Sequence, residues 1–193
     1  MTPGPPPAVR TVDPAGVRAA FRRHPEGVTI ITTLDRFGYQ WGMTATAVTA
    51  VSLEPPLLLV CLANGSGLLG PVTAGAGFMV NFLAGHQTEL ASRFASPLEN
   101  KFADASYLFA PSGCARLRGA SASLECVAHD VHPGGDHTIV VGRILDVTVN
   151  ENPGDALVFF DGAMSSLGSS SVTVPPAVSS EMYHHPKMER SSS

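Results

Sequence analysis

Several things are scarce in this chain of 193 residues, and each scarcity excludes a class of protein. Charged residues make up only 15% of it, the net charge is -4, and no basic run or Arg/Lys stripe occurs. Nothing here offers the electrostatic footprint of a nucleic-acid binder. Cysteine is limited to Cys61, Cys114 and Cys126, an odd set without a CxxC pair. That spacing argues against a disulfide framework or a zinc site and for reduced thiols in a cytoplasmic protein. No apolar run approaches the ~20 residues that a bilayer span requires. Met1–Pro7 has prolines where a secretory signal would have a charged and then an apolar segment. No metal is expected, because the adjacent His184 and His185 lie in a polar tail and read as solvated.

Apolar residues, by contrast, are plentiful. They make up 44% of the chain and the mean hydropathy is +0.16, high for a lone soluble subunit. This predicts apolar surface covered by a partner subunit or a cofactor. A chain of this length buries roughly 70% of its unfolded surface in one core, so it needs no metal or disulfide to fold.

The ends differ from the middle. Residues 1–14 carry five prolines and read as a disordered N-terminal segment, and residues 169–193 as a Ser-rich flexible tail. Between them, residues 15–168 read as one domain. Ala15–His24 has Val17, Ala20 and Phe21 at helical spacing and is stopped by Pro25 and Gly27. Val28–Leu34 is a β-branched strand and Asp35–Gly38 a turn. Gln40–Ser52 is expected as a second strand, ended at Pro55-Pro56. Leu57–Leu62 and Phe78–Leu83 are buried strands, Thr88–Ala95 a helix, and Leu117–Val127 and His137–Val149 long strands. Gly134-Gly135-Asp136 reverses the chain before the last of these, and Ala156–Phe160 is expected to be the final strand. Strand follows strand, with helices inserted rather than alternating. The expected fold is therefore mainly β, an antiparallel barrel with a few peripheral helices.

Gly65-Ser66-Gly67-Leu68-Leu69-Gly70 matches the GxGxxG pattern. A dinucleotide fingerprint would need a helix opening there and a carboxylate after the next strand. Pro71 interrupts the helix, and Asn81-Phe82-Leu83 offers no acid. Without a Lys-Ser/Thr pair it is no P-loop either. Two readings stay open: a plain turn, or backbone N–H groups and Ser66 arranged for a phosphate. Gly42–Thr49 is a second unusual stretch, made of small residues and hydroxyls. It suits either a flat ligand against the backbone or close packing on a helix.

Taken together, several segments resemble the short-chain flavin reductase family, the reductase components of two-component flavin monooxygenases with an FMN-binding split barrel. They are Pro25–Thr32, Gly42–Thr46, Val51–Leu57, Phe78–Leu83, Leu124–Cys126, Gly135–His137 and Val141–Ile144. The resemblance runs from about Phe21 to Leu167 and implies a Greek-key split barrel. By that likeness Met43, Thr44, Ala45, Thr46, Ser52 and Phe82 line a flavin, FMN or FAD, while Asn64 and Ser66 meet its phosphate. Phe94 and Phe102 stand near the pocket, with the basic groups beside them, Arg93 and Lys101, toward phosphate. Asp136 and His137 are cofactor-binding by the same likeness, His137 meeting the nicotinamide of NADH or NADPH or the flavin edge as the catalytic candidate; the residues alone allow a plain hairpin turn there.

The implied activity is hydride transfer from NAD(P)H to flavin in a homodimer, serving a partner monooxygenase and requiring no nucleic acid or membrane. A flavoprotein that keeps its flavin and acts on an organic substrate, or a non-catalytic flavin-binding module, are the alternatives. Two departures stand out. No basic residue lies between Leu57 and Asn81, and Gly162-Ala163-Met164 has Met where the family often has an aromatic.

Overall fold

The computed structural model describes residues 11–168. The expected tail at 169–193 lies outside the described residues, as does most of the 1–14 segment. Helix α1 (Pro14–Phe21) is capped by Asp13, whose Oδ1 accepts from the Ala15 N–H at 3.0 Å, with proline at the first helical position. It ends before His24 because Arg22 is drawn aside, its carbonyl accepting from the Asp161 N–H at 2.9 Å. Its apolar side chains find little cover among the described residues: Val17 is 41% and Phe21 65% exposed.

Strands β1 (Glu26–Gly27), β2 (Thr29–Leu34), β3 (Gln40–Ala45), β4 (Val48–Leu53) and β5 (Pro56–Ala63) lead to the short helix α2 (Leu69–Thr73). Then come β6 (Phe78–Phe82), a 3-10 turn, and helix α3 (Thr88–Ala95), as its periodicity predicts. Strands β7 (Tyr107–Phe109), β8 (Ala115–Leu117), β9 (Ala122–Gly134), β10 (His137–Val149), β11 (Ala156–Phe160) and β12 (Ala163–Leu167) complete the chain.

The main sheet is seven-stranded in the order β3-β2-β6-β9-β10-β5-β4, antiparallel throughout. Its two outer strands, β3 and β4, are joined only by Thr46 and Ala47. A flat sheet would hold those edges about 29 Å apart, six spacings of about 4.8 Å. The step from Ala45 to Val48 spans at most about 11 Å. The sheet must therefore curl until its edges meet, which makes a split barrel with its seam at Thr46-Ala47. The single strand expected over Gln40–Ser52 is thus two strands, on opposite edges of the sheet.

β2 is buried on both faces. Ile31 joins the barrel interior with Leu58, Val60, Leu62, Phe78 and Val140, while Ile30 joins Leu83, Ala91, Phe94 and Leu157 under α3. Its hydroxyls stay satisfied: Thr29, Thr32 and Thr33 donate to the carbonyls of Ala45, Ala115 and Gly77 at 2.6, 2.6 and 2.7 Å.

Two more sequence expectations are corrected. Leu117–Val127 is broken after Leu117, where Gly119 takes a positive φ of 77° and turns the chain into β9. Ala156–Phe160 is not the final strand, because Asp161 and Gly162, both at positive φ, form a hairpin turn into β12.

Cys126 is fully buried, and burial first, then the Glu125 charge, push its thiol up to about 12. Burial raises Cys114 as well, and Cys61 is half-buried. Thiolate is the reactive form. Native protein at pH 8 is expected to yield one thiol per chain to a disulfide reagent, and all three in denaturant. Rapid labelling of Cys114 or Cys126 in folded protein would contradict this placement. No helix among the described residues is long and apolar enough to cross a membrane.

Candidate functional site

Residues of the seam strand β3 line a cleft of about 690 Å³, within the 300–1,000 Å³ usual for small-molecule sites. Gly42 lets α3 come close: a Cβ there would overlap the edge of the Phe94 ring. Phe94 meets Phe102 edge-on, with centroids 5.0 Å apart, and both rings wall the cleft. Thr44 donates its hydroxyl to the Ala91 carbonyl at 2.6 Å and so ties β3 to α3. Of the two readings of the small-residue stretch, close packing on a helix therefore holds at Gly42 and Thr44.

Lys101 enters the same cleft and donates to the carbonyls of Phe94 at 3.0 Å and Gly42 at 3.3 Å. Burial draws its ammonium below the ordinary lysine value. A cation short of water is stabilised by an anion placed beside it. The opposite wall is the loop Gly65–Leu68. Its Ser66 N–H donates to the Ala63 carbonyl at 2.8 Å, and its hydroxyl donates to the Met43 sulfur at 3.3 Å. α2 opens only after the loop and has five residues between antiparallel neighbours, so the glycine pattern builds no Rossmann unit. Within the loop, the N–H groups of Ser66 and Leu68 are bonded to the Ala63 carbonyl and the Ser66 hydroxyl. Gln40 Oε1 is buried at the cleft with no hydrogen-bond partner among the described residues.

Asn64 links this loop to the β9–β10 hairpin. Its side-chain amide donates to the Gly135 carbonyl at 3.1 Å and accepts from Thr138 Oγ at 2.9 Å, and its N–H donates to the Asp136 carbonyl. His137, paired in register with Ala63, sits with Nδ1 2.7 Å from Asp136 Oδ1. That hydrogen bond, followed by the imidazole charge, holds the Asp136 carboxyl below its ordinary value.

The predicted residues are thus only partly gathered. Met43, Thr44, Ser66 and Phe102 line the cleft, and Asn64, Asp136 and His137 cluster at its rim beyond Ala63. Thr46 lines a smaller depression of about 340 Å³, with Ala47, Thr49 and Leu59. Ala45 is buried in the barrel core, and Phe82 packs partly buried against that core. Ser52 lies at the far end of β4, opposite Leu57, in neither cavity. The sequence reading missed Trp41 and Gln40 in the cleft wall. A large aromatic two residues before Met43, on the same strand face, was the available signal. Among the described residues, no group of three or more His, Cys, Asp or Glu is placed to hold a metal.

A barrel split along a seam, with a cation and a hydroxyl-bearing loop lining one cleft beside it, defines a split-barrel protein whose cleft suits a phosphorylated small molecule. The chain belongs to the family described as flavin reductase like domain, whose model matches residues 21–168. It is 42% identical over 132 residues to the reductase subunit of stachydrine N-demethylase from Rhizobium meliloti, an alignment covering 68% of this chain and 57% of that protein. The chain thus spans little more than half that relative's length, and 45% of a second relative from the same organism. It is 36% identical to an NADH:FMN oxidoreductase of Rhodococcus erythropolis, over 75% of this chain and 77% of that one. Among solved structures, the NADH:FAD oxidoreductase of Streptomyces globisporus in complex with NAD and FAD fragments superposes with a TM-score of 0.74. That match is 32% identical and covers 88% of this chain and 99% of the other.

Proposed function

We propose that the protein is an NAD(P)H:flavin oxidoreductase that hands reduced FMN or FAD to a separate monooxygenase. The observation that carries this reading is the partly desolvated Lys101 ammonium in the same cleft as the Ser66 loop. The residues present fit a flavin phosphate: the Lys101 ammonium, the Ser66 hydroxyl and the glycine-rich Gly65–Leu68 loop line one cleft. The outer face of β5 (Leu59, Cys61, Ala63) runs from the smaller depression at Thr46-Ala47 to this cleft. Lys101 and Ser66 at one end of that face would hold the phosphate of a flavin, and Thr46 and Ala47 at the other would border its ring.

When bound, the flavin supplies the hydride-accepting chemistry, and the nicotinamide brings the electron pair. The chain's own part is proximity and orientation. Lys101 and Ser66 anchor the phosphate end. Ala47, with its small side chain, leaves the seam open to a flat ring. Asn64 fixes the β9–β10 hairpin, so that Asp136 orients His137 through Nδ1 and leaves Nε2 for the nicotinamide. With hydride chemistry supplied by the bound cofactors, no residue of the chain would need to act as a general base.

The protein is also proposed to be a cytoplasmic homodimer. Val51 and Leu53 on β4, and Leu145, Val147 and Val149 on β10, are each more than half exposed, an apolar set that a second copy would cover. Light scattering reads this directly; a monomer at micromolar concentration would refute it.

The first test follows nicotinamide absorbance with NADH or NADPH and with FMN, FAD or riboflavin added in turn. Flavin-dependent oxidation supports a reductase that releases its flavin. Folded protein that oxidises neither nicotinamide with any flavin rejects the reading. A yellow protein that keeps its cofactor through purification favours the flavoprotein alternative. Thr46→Trp is expected to abolish flavin binding while leaving the melting temperature within a few degrees, because Thr46 lies on the seam outside both core clusters. Unchanged flavin affinity would remove Thr46 from the site.

A further inference from the structure

The glycine pattern that builds no dinucleotide fold still has to be accounted for at Gly67. A side chain there would overlap the six-membered ring of Trp41, which lies directly over the loop backbone. Within the loop, the Ser66 N–H bonds back to Ala63, and Ser66 Oγ accepts from the Leu68 N–H at 3.2 Å. From across the cleft, Met43 and Trp41 press on it. They stand two apart on β3 and so share a strand face.

Trp41 is itself held. Its Nε1–H donates to Asp35 Oδ2 at 3.2 Å, and Asp35 Oδ1 accepts from the N–H groups of Phe37 and Tyr39, both at 2.9 Å. The Tyr39 ring meets the indole edge-on at 5.0 Å. The contacts form one chain, from the Asp35 turn through the indole to Gly67 and the neighbouring Ser66.

Resting on the flavin-reductase reading, we infer that Trp41 is a positioning residue for the flavin: clamped by Asp35 and seated on Gly67, it holds the Gly65–Leu68 loop in its phosphate-binding shape. Gly67 is glycine to receive the indole. A loop set before the ligand arrives costs less ordering on binding, so the effect falls on affinity rather than on the hydride step.

The test uses FMN and calorimetry on the full chain. Wild type is expected to bind FMN with quenching of its tryptophan emission, which comes from Trp41 alone because the chain has one tryptophan. W41L is expected to weaken FMN binding roughly tenfold, with kcat at saturating FMN within about twofold. W41F keeps a ring over Gly67 and should recover most of that affinity. G67A, which alters no core residue, should displace the indole, shift its emission and weaken FMN binding by a similar factor. The double variant should bind no worse than W41L, because the two sites act as one unit. Unchanged FMN affinity in W41L or G67A, or losses that simply add in the double variant, would overturn the inference. Absence of FMN binding by folded wild type would instead overturn the flavin reading itself. If W41L does not fold, W41F and G67A carry the test.

Discussion

Lys101→Met is expected to weaken FMN binding roughly ten- to a hundredfold, the scale of a charged hydrogen bond worth about 1.5–3 kcal/mol. Methionine keeps the aliphatic stem beside Phe94 and Phe102 but removes the cleft's ammonium. Riboflavin lacks the phosphate, so its KM should barely change. The variant would thus erase the preference for FMN over riboflavin. Lys101→Arg should restore much of it, since the charge remains. Lys101 also donates to the carbonyls of Gly42 and Phe94, so a modest fall in melting temperature is expected. The ratio of the two flavin KM values separates the roles. An equal rise for both flavins would mean that Lys101 only braces α3 and that the phosphate is bound elsewhere.

Asn81→Leu should be the most damaging single change to the fold, costing about 3 kcal/mol or more and read as a fall in denaturant midpoint without a change in slope. Asn81 is completely buried on β6, between β2 and β9. Its amide donates to the Ile30 carbonyl at 3.1 Å, and its oxygen accepts from the Leu117 N–H at 3.0 Å and Ser123 Oγ at 2.9 Å. Leucine nearly matches the volume but leaves those buried groups without partners, and removing one side of a buried hydrogen bond costs more than the bond adds. Asn81→Asp should also destabilise, because it places a carboxylate against the Ile30 carbonyl. A leucine variant as stable as wild type would mean that these groups find water or other partners.

Much of the fold was legible because it rests on local periodicity. The limits of α3 and β10 follow directly from their apolar spacing, and the reversal at Gly134–Asp136 from its glycines. The failures share a cause. Gln40–Ser52 is continuous in composition, and only barrel closure, a property of the whole sheet, breaks it at Thr46-Ala47. β7 and β8 escaped because three-residue strands carry too few residues to show a period. For the site, the small and polar residues around Met43 and at the Ser66 turn were the sequence signal for two segments that the fold brings to one cleft. Which of their atoms are free could not: the Thr44 hydroxyl looks available in sequence and is occupied by Ala91 in the fold.

The sequence by itself determined the class of the protein: mainly β strands, helices too few to alternate with them, and a chain of short segments ordered as in flavin reductases. Tertiary structure alone decided where the charge comes from. No basic residue lies near Ser66 in the chain, yet Lys101 arrives in its cleft from beyond α3. It likewise decided that Trp41 rests on Gly67, twenty-six positions away. Local propensity encodes strands and turns. Contacts between distant segments exist only once the seven strands have curled and their edges have met at the seam.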